Sequence, residues 1–179
     1  MSPLLLVLLT GAVVIGVDRL ARRRRPPREP MSRSDWHRLA RRCGLSVRTE
    51  PPGLHGTVGT IGVSVDISDE PDALCYRVHA GHRVALPAGF RLAAGAGAPL
   101  ASPILSGQIR AEGTAGLLDD PDMVGPLMAV FHRWPEATAD AHGVNISGQT
   151  RQPRRELPEA IAAAAALADA VSDRWPSAR

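Results

Sequence analysis

The sequence contains no lysine: all 21 of its strongly basic residues are arginine. That absence removes the phosphate-loop lysine, the Schiff-base lysine of pyridoxal phosphate enzymes and the strand lysine of kinases. Aromatic residues are scarce as well, at 3% of the chain with one Tyr and two Phe, so there is no stacking platform for bases. Only two cysteines are present, Cys43 and Cys75. Two thiols are too few for a disulfide framework, and in a reducing compartment both are expected free and packed as small apolar side chains. The third absence is charge, of which residues 1–17 have none.

That uncharged stretch, rich in Leu and Val, reads as a transmembrane helix. Seventeen residues rise about 25 Å, and snorkelling by Arg19 and Arg22 covers the shortfall from a typical ~30 Å hydrocarbon core. A secretory signal would carry its positive charge before the apolar run. Here Arg19, Arg22, Arg23, Arg24, Arg25 and Arg28 follow it. The positive-inside rule therefore places the N-terminus outside and the rest of the chain in the cytoplasm, as a single-pass protein of the inner (plasma) membrane. These six arginines are the expected membrane-surface contacts, with residues 1–25 in the bilayer and its headgroups. Over residues 32–179 the balance is 15 Arg against 16 acids, so that part of the chain is not basic despite an overall charge of +3. With no basic footprint and no stacking platform, nucleic acid is not an expected partner.

Three segments are expected: an anchor over 1–18, an Arg/Pro-rich juxtamembrane linker over 19–31, and a soluble domain over 32–179. Within the domain, Ser34 is placed as the cap of a short helix with Trp36, Leu39, Ala40 and Cys43 on one face and Gly44 as its stop. Arg38, Arg41 and Arg42 lie opposite. Alternation of apolar and polar residues then predicts strands over 54–58 and 62–68, joined at Gly59-Thr60, and further strands over 74–80, 90–93, 104–111 and 143–149. Residues 94–103, nearly all Gly, Ala and Pro, read as a loop. Asp120 and Pro121 start a mid-chain helix with Leu127, Val130, Phe131 and Trp134 as its apolar stripe, and Pro126 is expected to kink it or delay its start. The last helix is expected from Pro158 to Pro176. Eight of its eleven residues from 160 to 170 are Ala, and Leu157, Ile161, Ala164, Ala168, Val171 and Trp175 form a seam. The fold class is α+β, an antiparallel sheet of about five to seven strands with a long C-terminal helix packed on it.

No stretch spells out a reaction. Cys75, His79 and His82 lie close in sequence, but zinc needs a second ligand pair, so no metal or cofactor is expected. In Gly62-Val63-Ser64-Val65-Asp66 an acid replaces the second glycine of a nucleophile elbow. Asp119-Asp120-Pro121-Asp122 is accounted for by capping rather than by cation binding. One internal echo, Leu105-Ser106-Gly107-Gln108-Ile109-Arg110 against Ile146-Ser147-Gly148-Gln149-Thr150-Arg151, raises the possibility of a ligand pocket built from Gln108, Arg110, Gln149 and Arg151.

Trp36-His37-Arg38-Leu39-Ala40 with Gly44-Leu45, Leu54-His55-Gly56-Thr57-Val58-Gly59 and Val63-Ser64-Val65 resemble uncharacterised single-pass bacterial membrane proteins, in which a short anchor precedes an α+β domain of unknown function. The resemblance carries no catalytic residues across. The expected function is a noncatalytic, membrane-tethered protein-interaction or scaffold module on the cytoplasmic side. The alternative is a binder of a small ligand or anionic lipid headgroup, akin to a pleckstrin-homology domain by element order alone. An enzyme assembled from dispersed His and acidic residues is the third reading.

Overall fold

The computed structural model describes residues 30–95, 105, 107–114 and 116–175. Within them the elements run α1 (Arg33–Arg42), β1 (Leu45–Arg48), β2 (Gly53–Val58), β3 (Ile61–Asp69), β4 (Leu74–Gly81), β5 (Arg91–Ala94), β6 (Ile109–Glu112), α2 (Val124–Phe131), β7 (Thr138–Asp140), β8 (Gly143–Thr150) and α3 (Pro153–Arg174). Every strand pair is antiparallel, in one sheet of order β1-β2-β3-β4-β8-β7-β5-β6. The expected transmembrane anchor, the arginine cluster and most of the linker lie outside the described residues. Among those described, no helix is long and apolar enough to cross a membrane. Met31, assigned to the linker, packs against the core.

Helix α1 is capped by Ser32, not Ser34. Asp35 N–H donates to Ser32 Oγ at 3.2 Å, and the Ser32 N–H returns to Asp35 Oδ2 at 3.0 Å. The acid three residues after the cap selects Ser32, because both partners then satisfy each other's free backbone donor. The Ser32 hydroxyl, donating to Asp35 Oδ2 at 2.6 Å, together with the Ser32 N–H and Arg154, holds the Asp35 carboxyl down at about 2. Its contribution to stability is therefore present above the normal carboxylate range and is lost as pH falls through about 2. Gly44 stops the helix at φ +72, a conformation glycine adopts without strain. Leu39 and Ala40 are buried while Arg33, His37, Arg38, Arg41 and Arg42 are exposed.

The β2–β3 hairpin turns at Gly59 and Thr60, with Val58 opposite Ile61 and Gly59 at φ +60. Two strands escaped the sequence reading: β1, of four residues, and β7, of three. Both are too short for alternation to register. Of the strand expected over 104–111, the described residues form Ile109–Glu112, because the Leu105 carbonyl accepts the Gln108 and Ile109 N–H groups at 3.0 and 3.1 Å in a turn. Asp120 caps a 3-10 turn, Pro121–Met123, by accepting the Asp122 N–H at 2.9 Å. The α-helix then starts at Val124, which puts Pro126 in its first turn, where no intrahelical donor is needed.

The C-terminal helix begins at Pro153, five residues before the expected Pro158, which sits inside it. Pro153 supplies the first-turn proline. At the corner leading into it, Thr150 Oγ1 accepts the Gln152 N–H at 2.9 Å. The seam lies on the chain's own sheet, across β3, β4 and β8, while α2 packs on its flank. Leu157, Ala164, Ala168 and Val171 are fully buried in the same core as Val65, Val78, Val144 and Ile146 of the sheet's inner face. Small side chains let helix and sheet approach closely, and dispersion then acts over the full length of the contact.

The helix end is tied by polar clamps. Arg83 pairs with Asp169 at 3.0 Å and with Asp173, and Arg174 pairs with Asp120 at 2.8 Å and Asp122 at 3.0 Å. Buried Ser172 donates to the Ala168 carbonyl at 2.7 Å and accepts the Arg83 N–H at 2.9 Å. Between α3 and the sheet lies His82, with Nε2 at 3.1 Å from the Asp140 carbonyl, Nδ1 at 3.5 Å from the Ala168 carbonyl and Phe90 edge-on at 6.0 Å. Burial pushes its pKa below the ordinary 6.5, against the pull of both carbonyls and the Asp140 charge; His79 adds a like-charge push downward.

Two outcomes follow from this core. Ala164→Leu or Ala168→Leu overpacks the seam and lowers unfolding free energy by about 1–3 kcal/mol in urea titration; unchanged stability would contradict the packing. Since folding depresses the His82 pKa, the folded form binds fewer protons than the unfolded chain, and stability falls as pH drops below about 6.5. The difference in urea midpoint between neutral and mildly acidic buffer should shrink in His82→Gln.

Candidate functional site

Period-two alternation gives the sheet two unlike faces. Val63, Val65, Val78, Ala80, Val144 and Ile146 turn inward and are buried, while Ser64, Asp66, Arg77, His79, Asn145 and Ser147 turn outward and remain accessible. All three described helices contribute to the core on the inner side. The outer face carries a row that crosses every strand in register: Ser46, His55, Ser64, His79, Asn145, Thr138, Ala93 and Arg110. Such cross-strand neighbours stand about 4.5–5.5 Å apart at Cβ.

At the centre of the row, His79 Nδ1 lies 3.0 Å from Asn145 Oδ1. An amide oxygen only accepts, so in this contact the His79 Nδ1–H donates to Asn145. The ring lies so close to the backbone of β8 that a Cβ at Gly143 would come within 2.6 Å of His79 Cε1 and 2.4 Å of the Ala80 carbonyl oxygen. A side chain at 143 would therefore clash with the backbone of β4 as well as with the histidine ring. Ser64 is the cross-strand neighbour of His79, but no hydrogen bond joins the two, and Ser64 lies within the extended strand β3 rather than on a strand-to-helix elbow. The row is a set of positioned donors and acceptors, not a nucleophile with its base.

Farther along β3, β4 and β8 the same face opens into a cleft of about 430 Å³ lined by Asp66, Cys75, Arg77, Glu136, Ser147 and Gln149, among others. Arg48 forms an ion pair with Asp66 at its border. The Cys75 thiol is pushed above its ordinary range, first by its hydrogen bond to Glu70, then by partial desolvation and the Glu70 charge; Gln149 pulls the other way. A raised thiol pKa means little thiolate, so Cys75 is a weak nucleophile. Both cysteines are free and partly buried: Cys43 packs against the core as the sequence suggested, whereas Cys75 lines the cleft. Among the described residues, no three His, Cys, Asp or Glu side chains converge as a metal site.

The residues expected to form a ligand pocket are not gathered in one place. Gln149 lines the cleft, and Arg151 stands half-exposed just beyond β8. Gln108 is exposed in the turn before β6, and Arg110 is exposed on β6 with Glu112 at 3.7 Å. In the strand order, β7 and β5 lie between β8 and β6, a lateral gap of roughly 14 Å at ordinary strand spacing. The echo joins an edge strand to a central one. Arg19, Arg22, Arg23, Arg24, Arg25 and Arg28 lie outside the described residues. The His79–Asn145 contact was missed because its partners are 66 residues apart. The outward position of Asn145 was legible; the strand it faces was not.

Comparison with known proteins returned no matching family model, no matching curated protein and no matching solved structure.

The cleft chemistry has a direct test. In a Cys43→Ser chain, Cys75 should alkylate with iodoacetamide more slowly at mildly alkaline pH than a cysteine in an unstructured peptide, and Glu70→Gln should accelerate it. Equal rates with and without Glu70 would remove the carboxylate from the account.

Proposed function

We propose that this chain is a noncatalytic, membrane-tethered interaction module whose recognition surface is the outer face of the sheet. One observation carries the reading: among the described residues an eight-stranded sheet is closed on one side by helices and left open on the other, with an in-register row, polar but for Ala93, whose central pair is already hydrogen-bonded. A surface ordered before binding loses less conformational entropy when a partner docks. The tether is inferred from the uncharged segment 1–17 followed by arginines, and the cytoplasmic placement from the order of apolar run and charge. The partner class is protein, because a broad, shallow face of mixed charge offers side-chain contacts over an area rather than an enclosing pocket.

A small polar ligand is the second reading. The cleft of about 430 Å³ favours it, since ligand sites commonly occupy about 300–1,000 Å³. Its open shape and mixture of Asp66 and Glu136 with Arg77 suit a zwitterionic or hydroxylated molecule better than a simple anion.

The test is co-purification of the full chain in mild detergent, comparing Ser147→Arg on the open face with Ala162→Arg on the exposed stripe of α3. The partner recovered with the unaltered chain should persist with Ala162→Arg and fall about tenfold with Ser147→Arg, a loss of about 1.4 kcal/mol. Repeated recovery of no partner, or equal recovery by both variants, would overturn the interaction reading.

A further inference from the structure

The solvent-facing half of α1 carries charge of one sign. At 100° per residue, Arg33, His37, Arg41, Ser34, Arg38 and Arg42 follow one another around about half of the helix, and all six are exposed. The helix has one acid, Asp35. It lies beyond the end of this arc, engaged by Ser32 and by Arg154 at 2.9 Å. None of the four arginines forms an ion pair among the described residues. Arg38 and Arg42, one turn apart, border a shallow cleft of about 120 Å³ with Arg154, Leu39 and Asp35, the acid held by Ser32 and Arg154. The other half of the helix is committed to the fold, with Leu39 and Ala40 buried and Trp36 packed against the core.

We propose that this arginine arc docks on the anionic phospholipid headgroups of a bilayer and so fixes the orientation of the domain. The inference rests on the tether proposed above. Arg33 follows Arg28, the last arginine of the juxtamembrane cluster, by five residues, a span that cannot exceed about 18 Å. The arc therefore stays near any surface that holds the cluster. Charge complementarity supplies the occupant, because arginine near an anionic leaflet is attracted within a Debye length and unpaired guanidinium groups lose no intramolecular partner on docking. Nucleic acid is the competing polyanion. Lipid is favoured because the arc presents no aromatic ring for base stacking, its one tryptophan being turned to the core. The consequence is directional. Helix α1 covers the same side of the sheet as α3, so an arc laid on the bilayer points the open polar face away from it, toward partners in solution.

The test uses the full chain with Cys43→Ser and Cys75→Ser, carrying a fluorophore on His37→Cys in the arc. His37 lies within the arc, between Arg33 and Arg41. The chain is reconstituted with phosphatidylcholine vesicles, with or without phosphatidylglycerol, that contain a headgroup nitroxide quencher. Flotation reports the tether and quenching reports the arc. The expected result is flotation with both vesicle types, quenching only where phosphatidylglycerol is present, and reversal of that quenching by salt. Replacing Arg33, Arg38, Arg41 and Arg42 by Gln should cut the quenching about tenfold without affecting flotation. The Arg→Lys set should retain it, since attraction to the leaflet depends on charge. Flotation without composition-dependent quenching would overturn the docking and leave the tether standing. Failure to float with either vesicle type would overturn both. Loss of quenching on adding a DNA oligonucleotide at equimolar concentration would assign the arc to nucleic acid and overturn the lipid occupant. Circular dichroism of each variant checks that α1 remains helical.

Discussion

The fold depends on one contact, the alanine seam of α3 lying on β3, β4 and β8. It holds together parts of the chain that are far apart in sequence, since β4 and β8 pair over 74–81 and 143–150. Nothing local brings those strands together. Closing so long a loop costs conformational entropy that only burial can offset, and the seam provides that burial directly across the β4–β8 junction. The clamps at the helix end, from Arg83 and Arg174, add register more than energy, because their side chains are partly exposed and solvent screens exposed pairs.

From that contact follows the asymmetry of the molecule. A helix with Leu157, Ala164, Ala168 and Val171 fully buried uses up the apolar side of the sheet, and period-two geometry sends the intervening side chains to water. The polar outer face is thus a by-product of packing the inner one. Its specific content is a separate matter. The His79–Asn145 hydrogen bond and the bare Gly143 beneath the ring are more than solvation requires, and they give the face a fixed central feature around which Arg77, Ser147 and Gln149 are arranged.

Elements with several periods of pattern could be read directly from the residues: the β2–β3 hairpin, β4, β8, the apolar stripe of α2 and the seam of α3. Their signals are local. What could not be read falls into two kinds. Strands β1 and β7 are too short to show a period, and their strand state comes from pairing with β2 and with β5 and β8. The helix starts were misplaced where two plausible caps or prolines compete: Ser32 against Ser34, and Pro153 against Pro158. In the first case the reciprocal bond with Asp35 decides; in the second, tertiary packing carries the helix through a proline. The candidate site was legible only one strand at a time. Alternation along the strand at 143–149 puts Asn145 and Ser147 on the outward face, yet the grouping of Gln108, Arg110, Gln149 and Arg151 relied on similarity of strings, and strand order overrides string similarity.

The two ends of the sheet have their own consequence. Strands β1 and β6 are each four residues long, about 13 Å of backbone, and they carry the charged Arg48, Arg110 and Glu112. Edges so short and charged are poor templates for another strand, which guards against sheet-to-sheet growth into aggregates. They also limit how this protein can be read. A partner seeking main-chain hydrogen bonds would find little ladder to extend, so recognition has to go through side chains on a face. Specificity then resides in individual residues, and a single substitution can redirect it while the scaffold stays intact.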